Sequence, residues 1–139
     1  MIVKIETVKL TDLRPHEEIE PVRLNALRDE IRSDKILKKP IVVDKETMII
    51  LDGHHRYNSF KQLGLSKIPV HFVDYRSSII SVTGWKDGSR VTKEQVREAG
   101  ITGRKLSARS SKHMCEDDGK LVHISEIVTD VNVPLKNLV

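Results

Sequence analysis

Asp52-Gly53-His54-His55-Arg56 sets one carboxylate, one glycine, two imidazoles and one guanidinium side by side. The run lies where the apolar stretch Met48 to Leu51 gives way to Tyr57, Phe60 and Leu63 at helical spacing, so it reads as a strand-to-helix junction. Such a junction gathers unpaired backbone N–H groups at the positive end of the helix dipole, a setting that suits a phosphate. Gly53 lets the backbone approach an oxygen closely, and His54, His55 and Arg56 add donors around it. Asp52 can hold an imidazole or interact with hydrated Mg²⁺, which keeps waters and takes one or two carboxylates beside phosphate oxygens. The plainer alternative makes Asp52 a helix N-cap and the histidines a surface pair or metal ligands. Adjacent histidines diverge on a helix and no third ligand stands at zinc spacing, which argues against zinc.

Two further groups could serve the same chemistry. Glu17, Glu18 and Glu20 precede a helix, where carboxylates ordinarily complement the dipole. Glu17 differs from the others because it follows Arg14-Pro15-His16, a rigid turn able to aim one carboxylate into a cleft. From Gly103 to His113 the chain carries Arg104, Lys105, Arg109 and Lys112 with no carboxylate between them. That cluster is large enough for a few phosphates and small for tracking a duplex.

The elements that must position these groups follow from periodicity. Val3, Ile5 and Thr7 alternate as a strand leading into the Arg14-Pro15-His16-Glu17 turn. Pro21 opens a helix whose Leu24, Leu27 and Ile31 share a face, with Ser33 and Asp34 at its end. Pro40 to Asp44 and Met48 to Leu51 form a hairpin, and Gly64 stops the helix that starts at the central junction. Ile68 to Val73 and Ile79 to Val82 are strands, and Lys86-Asp87-Gly88-Ser89 is a turn. Thr92 and Gln95 then form a capping box for a short helix ending at Gly100, followed by short apolar elements at Leu121 to Ile124 and Val131 to Val139.

Size and charge bound what this arrangement can do. With 139 residues, 38% of them hydrophobic, the chain makes one compact domain, divided here into a core over residues 1–76 and a smaller C-terminal region over 77–139. A formal net charge of +4, spread evenly over the two parts, favours an anionic partner. Apolar runs fall far short of the roughly 20 residues a membrane helix needs, and the N-terminus has no signal-peptide pattern, so a cytoplasmic protein with no membrane partner is expected. The one cysteine, Cys115, forms no internal disulfide and reads as an incidental thiol in an acidic turn.

Three separated segments together resemble the ParB/sulfiredoxin-like superfamily: Leu13-Arg14-Pro15-His16-Glu17, then Lys39-Pro40 before a strand, then Leu51 to Arg56 with Leu63-Gly64. Within it, the Pro-His-Glu turn and Asp-Gly-His-His-Arg are similar to the free-serine kinases, which make O-phosphoserine from L-serine. The likeness resumes at Thr83-Gly84-Trp85, at Arg109-Ser110-Ser111-Lys112-His113 and at Val133 to Leu138. The resemblance implies an α+β fold, a mixed sheet with helices packed on it plus a short C-terminal α/β appendage. It implies a kinase for free L-serine in which Glu17 is the general base. Asp52, Gly53, His54, His55 and Arg56 would then hold the nucleotide phosphates, with Asp52 serving Mg²⁺ directly or through water. Ser33, Trp85, Ser110, Ser111, Lys112 and His113 would line the amino-acid side, and the donor would be ADP or ATP. It further implies a place in phosphoserine and cysteine synthesis.

The chain departs from that pattern in one respect. Such kinases carry a larger second domain between the tryptophan and the last basic motif, while only about two dozen residues intervene here. The shortening leaves a place for a second chain, and a homodimer is an expectation on that ground. The main alternative is a ParB-like nucleotide- or DNA-binding module without kinase activity. Against a nucleic-acid partner stand His54-His55-Arg56 in place of an Arg-rich box and too little chain for a helix-turn-helix domain. A sulfiredoxin-type reductase would need a cysteine where His54 stands.

Overall fold

The computed structural model describes residues 2–85 and 89–139, with side chains from residue 5 onward. Of the turn expected at Lys86-Asp87-Gly88-Ser89, residues 86–88 lie outside the described residues. In chain order the elements are β1 (Ile2–Lys9), α1 (Pro21–Asp34), β2 (Ile36–Leu37), β3 (Ile41–Asp44), β4 (Ile50–Asp52), α2 (His54–Gln62) and β5 (Lys67–Val73). They continue as β6 (Ile80–Thr83), α3 (Lys93–Thr102), β7 (Lys112–Asp117), β8 (Lys120–His123) and β9 (Val133–Pro134).

The main sheet has the order β1-β5-β3-β4, with β5 and β3 parallel and the outer pairs antiparallel. All four residues of β3 are buried, because both faces of the sheet are covered. The period of two sorts its neighbours cleanly. Val43, Ile50, Val70 and Phe72 pack with Ile31 of α1 and with Tyr57 and Phe60 of α2. Val42, Leu51 and Val73 pack on the opposite side with Tyr75, Ile80, Val96, Cys115 and Ile124. That second layer is the three-stranded sheet β6-β7-β8 with α3. The mixed α+β architecture expected from the sequence is the one observed.

Two local expectations are corrected. Helix α3 does not end at Gly100 but runs to Thr102, with Gly103 as its left-handed cap at φ 78°. Gly100 is a packing glycine: a Cβ there would stand 2.7 Å from Ile49, so the helix could not lie so close to β4 with a larger residue. Cys115 is not in an acidic turn but is buried in β7; the turn comes later, at Asp118-Gly119, where φ values of 52° and 79° close the β7–β8 hairpin.

The end of the chain returns to the first layer. β9 pairs with β2, Leu138 joins the core beneath α1 and α2, and the backbone N–H groups of Ser66 and Lys67 donate to the Leu138 carbonyl at 2.9 and 3.1 Å. Residues 77–139 thus pack on both faces of the main sheet. Among the described residues no helix is long and apolar enough to cross a membrane.

Candidate active site

Gly53 is the N-cap of α2, held at φ 110°, where an added Cβ would meet Ile41 Cγ2 at 2.3 Å. Only glycine fits that turn. No side chain caps α2, so the reading of Asp52 as an N-cap does not hold and the start of the helix has no side-chain cap. Arg56 ties the junction to the entry of β3. Its Nη1 donates to the carbonyls of Lys39 and Pro40 at 3.0 and 2.9 Å, and its Nη2 to Asp52 Oδ2 at 3.1 Å. Burial lowers its basicity and the Asp52 charge opposes that.

Both histidines of the junction are neutral acceptors. His54 Nε2 accepts from the His16 N–H at 3.0 Å, and His55 Nε2 accepts from the Glu20 N–H at 3.0 Å. A ring nitrogen that accepts carries no proton. Burial drives His54 well below the usual imidazole range and lowers His55 as well. The pair therefore fastens the early turn to α2.

That turn is clamped from its other side by residues 104–111. The Leu106 N–H donates to the His16 carbonyl and the Glu18 N–H to the Leu106 carbonyl, both at 2.8 Å. Between these two bonds Glu17 turns inward, 7% exposed. Its Oε1 accepts from the Arg109 N–H at 3.1 Å and its Oε2 from the Ser111 N–H at 3.0 Å, while the Ser111 hydroxyl also meets Oε2. Arg109 adopts φ 55°, a left-handed conformation that turns its amide into this concavity, as in an anion-binding nest. Burial pushes the Glu17 carboxyl up, the Ser111 hydroxyl in so far as it donates and the Ser111 and Arg109 N–H groups pull against it, and the nearby Asp52 charge adds to the rise.

Glu17, Asp52, Gly53, Trp85, Ser111 and His113 line one cavity of about 100 Å³, together with His54 and His55. Trp85 is 43% exposed; its Nε1 donates to the Ser111 carbonyl at 3.0 Å, and the charged groups of Arg109 and Lys112 lie 4.9 and 5.0 Å from its ring centre. His113 is buried, pushed down to about 3 by desolvation, with the Tyr75 hydroxyl 2.8 Å from its Nε2. The other expected residues lie off this cavity. Ser33 is exposed in the last turn of α1, and Lys112 packs its charged group over the Trp85 ring without lining the cavity. The Ser110 hydroxyl is buried with no hydrogen-bond partner among the described residues. Arg56 lines a neighbouring hollow of about 250 Å³ with Leu27, Ile31, Ile36 and Leu37.

Arg23, Arg109 and His123 also line the cavity; of these only Arg109 was expected from the sequence, as a member of the basic cluster able to hold phosphates. Arg109 had a signal, its place in the Arg-Ser-Ser-Lys-His segment. Arg23 and His123 had none, since each arrives through packing of a distant element. No group of three or more metal-ligating side chains occurs among the described residues.

A mixed sheet whose edge strand β4 runs into a glycine-led helix start, with a buried carboxyl lining the same cavity, defines an α+β domain with one polar cleft at that junction. Residues 1–81 match the ParB N-terminal domain family, and the chain belongs to it. A ParB-like protein of Sulfolobus acidocaldarius is 36% identical over 121 residues, covering 83% of this chain and 60% of that protein. An ATP-dependent L-serine kinase of Staphylothermus marinus is 29% identical over 125 residues, covering 84% of this chain and 50% of that protein. The chain thus spans between half and two thirds of the length of these relatives. A solved free serine kinase in complex with AMP superimposes with a TM-score of 0.82 at 17% identity, over 99% of this chain and 94% of that one, a likeness of fold.

Proposed function

We propose that this chain transfers the terminal phosphoryl group of a nucleotide, ADP or ATP, to the hydroxyl of free L-serine. One observation carries the reading: buried Glu17 and the Gly53-led start of α2 line the same small cavity. The names of the relatives, which include ATP- and ADP-dependent L-serine kinases, support it.

Phosphoryl transfer asks a protein mainly for positioning and for charge stabilisation. The backbone N–H groups at the start of α2 would hold the donor phosphates, and the apolar hollow beside Arg56 would take the base. Serine would occupy the small cavity between Trp85, Ser111 and His113. Glu17 would accept its hydroxyl proton as the oxygen bonds to phosphorus and the nucleoside phosphate leaves with the electrons of the broken P–O bond. Asp52, a single carboxylate at the junction, is a donor set suited to Mg²⁺ that keeps its waters. When bound, that ion would neutralise charge on the phosphates. In this division residues 1–76 bind the nucleotide and residues 77–139 complete the serine side.

Phosphorus NMR of the protein with Mg²⁺, L-serine and either nucleotide tests the proposal directly. O-phosphoserine should accumulate with one donor or both. Nucleotide binding with no phosphoserine formed would instead leave a ParB-like nucleotide-binding module.

A further inference from the structure

Ser111 has one hydroxyl proton, yet its Oγ meets two buried groups, His16 Nε2 at 2.9 Å and Glu17 Oε2. The other ring nitrogen of His16, Nδ1, lies 2.7 Å from the Ile50 carbonyl oxygen. A carbonyl only accepts, so Nδ1 bears a proton, and a neutral His16 offers only a lone pair at Nε2. With His16 neutral and Glu17 ionised, the hydroxyl can satisfy one neighbour and must turn lone pairs on the other. Both contacts are hydrogen bonds when the three groups share one additional proton.

Where that proton sits follows from the surroundings. His16 is fully buried, with the rings of His54 and His113 edge-on at 4.6 and 5.9 Å, and burial drives it down to about 4. Glu17 is pushed the opposite way by the same cause. An imidazolium enclosed by two neutral rings is expensive, whereas a neutral carboxylic acid is not. The other charged groups facing the relay are Asp52 and Arg109, whose guanidinium lies over Trp85. The order is therefore Glu17 Oε2–H to Ser111 Oγ, Ser111 Oγ–H to His16 Nε2, and His16 Nδ1–H to the Ile50 carbonyl.

We propose that His16 is a positioning residue: by accepting the Ser111 hydroxyl proton it turns the lone pairs of Ser111 towards Glu17 and makes that carboxylate the stronger base. For the source of the proton this rests on the kinase reading. The substrate O–H bond breaks, an O–H bond forms on Glu17 and is received by Ser111 Oγ, and the proton returns to solvent after product leaves. His16 touches neither substrate nor phosphate and acts wholly through Ser111.

The test follows the Glu17 carboxyl itself, by carbon NMR of full-length protein labelled at glutamate side-chain carboxyls, the Glu17 signal being assigned by its loss in Glu17→Gln. In His16→Asn the amide stands near the Nδ1 position, keeps the bond to Ile50 and cannot reach Ser111. The Glu17 titration midpoint should fall by about one pH unit. His16→Gln, whose amide oxygen reaches the Nε2 position, should restore it. Ser111→Ala should also lower the midpoint, whereas a hydroxyl that merely donates to Glu17 predicts a rise. A rise in Ser111→Ala overturns the proposal, and that variant decides the matter if His16→Asn does not fold. Should phosphoserine form, the acid limb of kcat against pH should move with the Glu17 midpoint in each variant. Should none form, the kinase reading fails while the carboxyl titration still decides the relay.

Discussion

The two walls of the cavity are built in opposite ways. One is the junction from Asp52 to Arg56, contiguous in sequence, in which a left-handed glycine and an Arg56 fork bonded to Lys39, Pro40 and Asp52 fix the start of α2. The other is the segment 104–111, with no helix or strand of its own, whose hold on the early turn comes from residues 88 to 95 positions away along the chain. The first wall is set by local backbone geometry and persists as long as α2 does. The second exists only while Glu17 and His16 are seated in it. A locally fixed helix start, proposed to cradle phosphate, thus shares the cavity with a wall assembled by the very carboxyl proposed to do the chemistry, and each perturbation below should strike one wall more than the other.

The largest effect is expected at the shared carboxyl. Glu17→Gln keeps the size of the side chain and an acceptor for the nest but removes the base, so phosphoserine formation should drop by roughly 10²–10⁴-fold. Nucleotide affinity, which the proposal assigns to the junction wall, should hardly change in a calorimetric titration. Equal loss of both would show that the two walls do not act separately.

Next comes acid. His16, His54 and His113 are all held below the usual imidazole value by burial. Their folded-state values lie below the unfolded one, so the folded chain binds fewer protons between the two, and their contribution to stability is complete above pH about 6.5 and is lost as pH falls, through about 4 for His16 and about 3 for His113. For His16 alone, the drop from 6.5 to about 4 corresponds to about 3 kcal/mol. Glu17 has the reverse sign: its raised value favours the fold at low pH and is lost as pH rises through that value, so it opposes the acid trend. Urea midpoints measured between pH 7 and 4 should fall steeply, and a flat profile would mean that these rings are not held neutral. The junction should feel this too, since protonating His54 breaks its acceptance of the His16 N–H.

Gly53→Ala aims at the other wall. Its Cβ would be driven into Ile41 at a φ that L residues rarely adopt, costing about 2 kcal/mol. Nucleotide binding should weaken more than the stability loss accounts for, because the cradle itself is displaced. Unchanged affinity in the folded variant would place the phosphates elsewhere.

This contrast also explains what the sequence made legible. The junction was readable because strand period, helix period and a glycine meet within a few residues, and the main sheet because β3 and β5 are largely apolar, broken only by Asp44, Lys67 and His71, and buried on both sides from Ile68 onward. Glu17 stood out only because a proline turn set it apart from Glu18 and Glu20. The clamp was not readable: a hydrogen bond from Ser111 to Glu17 leaves no periodic trace, and the part of His16 is visible only when Ile50 and Ser111 flank its ring. Gly100 misled for a physical reason, since a glycine required by close packing against Ile49 has the same letter as one that ends a helix.

The smallest effect on stability is expected at Arg109, and it separates the clamp's backbone from its side chain. Its left-handed φ of 55° is a conformation in which glycine is relieved by about 1 kcal/mol relative to other residues. Arg109→Gly keeps the N–H that bonds Glu17 and gains that relief, while losing the contact of the guanidinium with Trp85, worth about 0.5–1 kcal/mol at an exposed site. The two nearly cancel, so the urea midpoint should hardly move. Affinity for the nucleotide should nonetheless fall by roughly fivefold, because a cation lining the cavity is gone. A stability gain with undiminished affinity would mean that Arg109 serves only the wall, and that the strained backbone is kept for the amide alone.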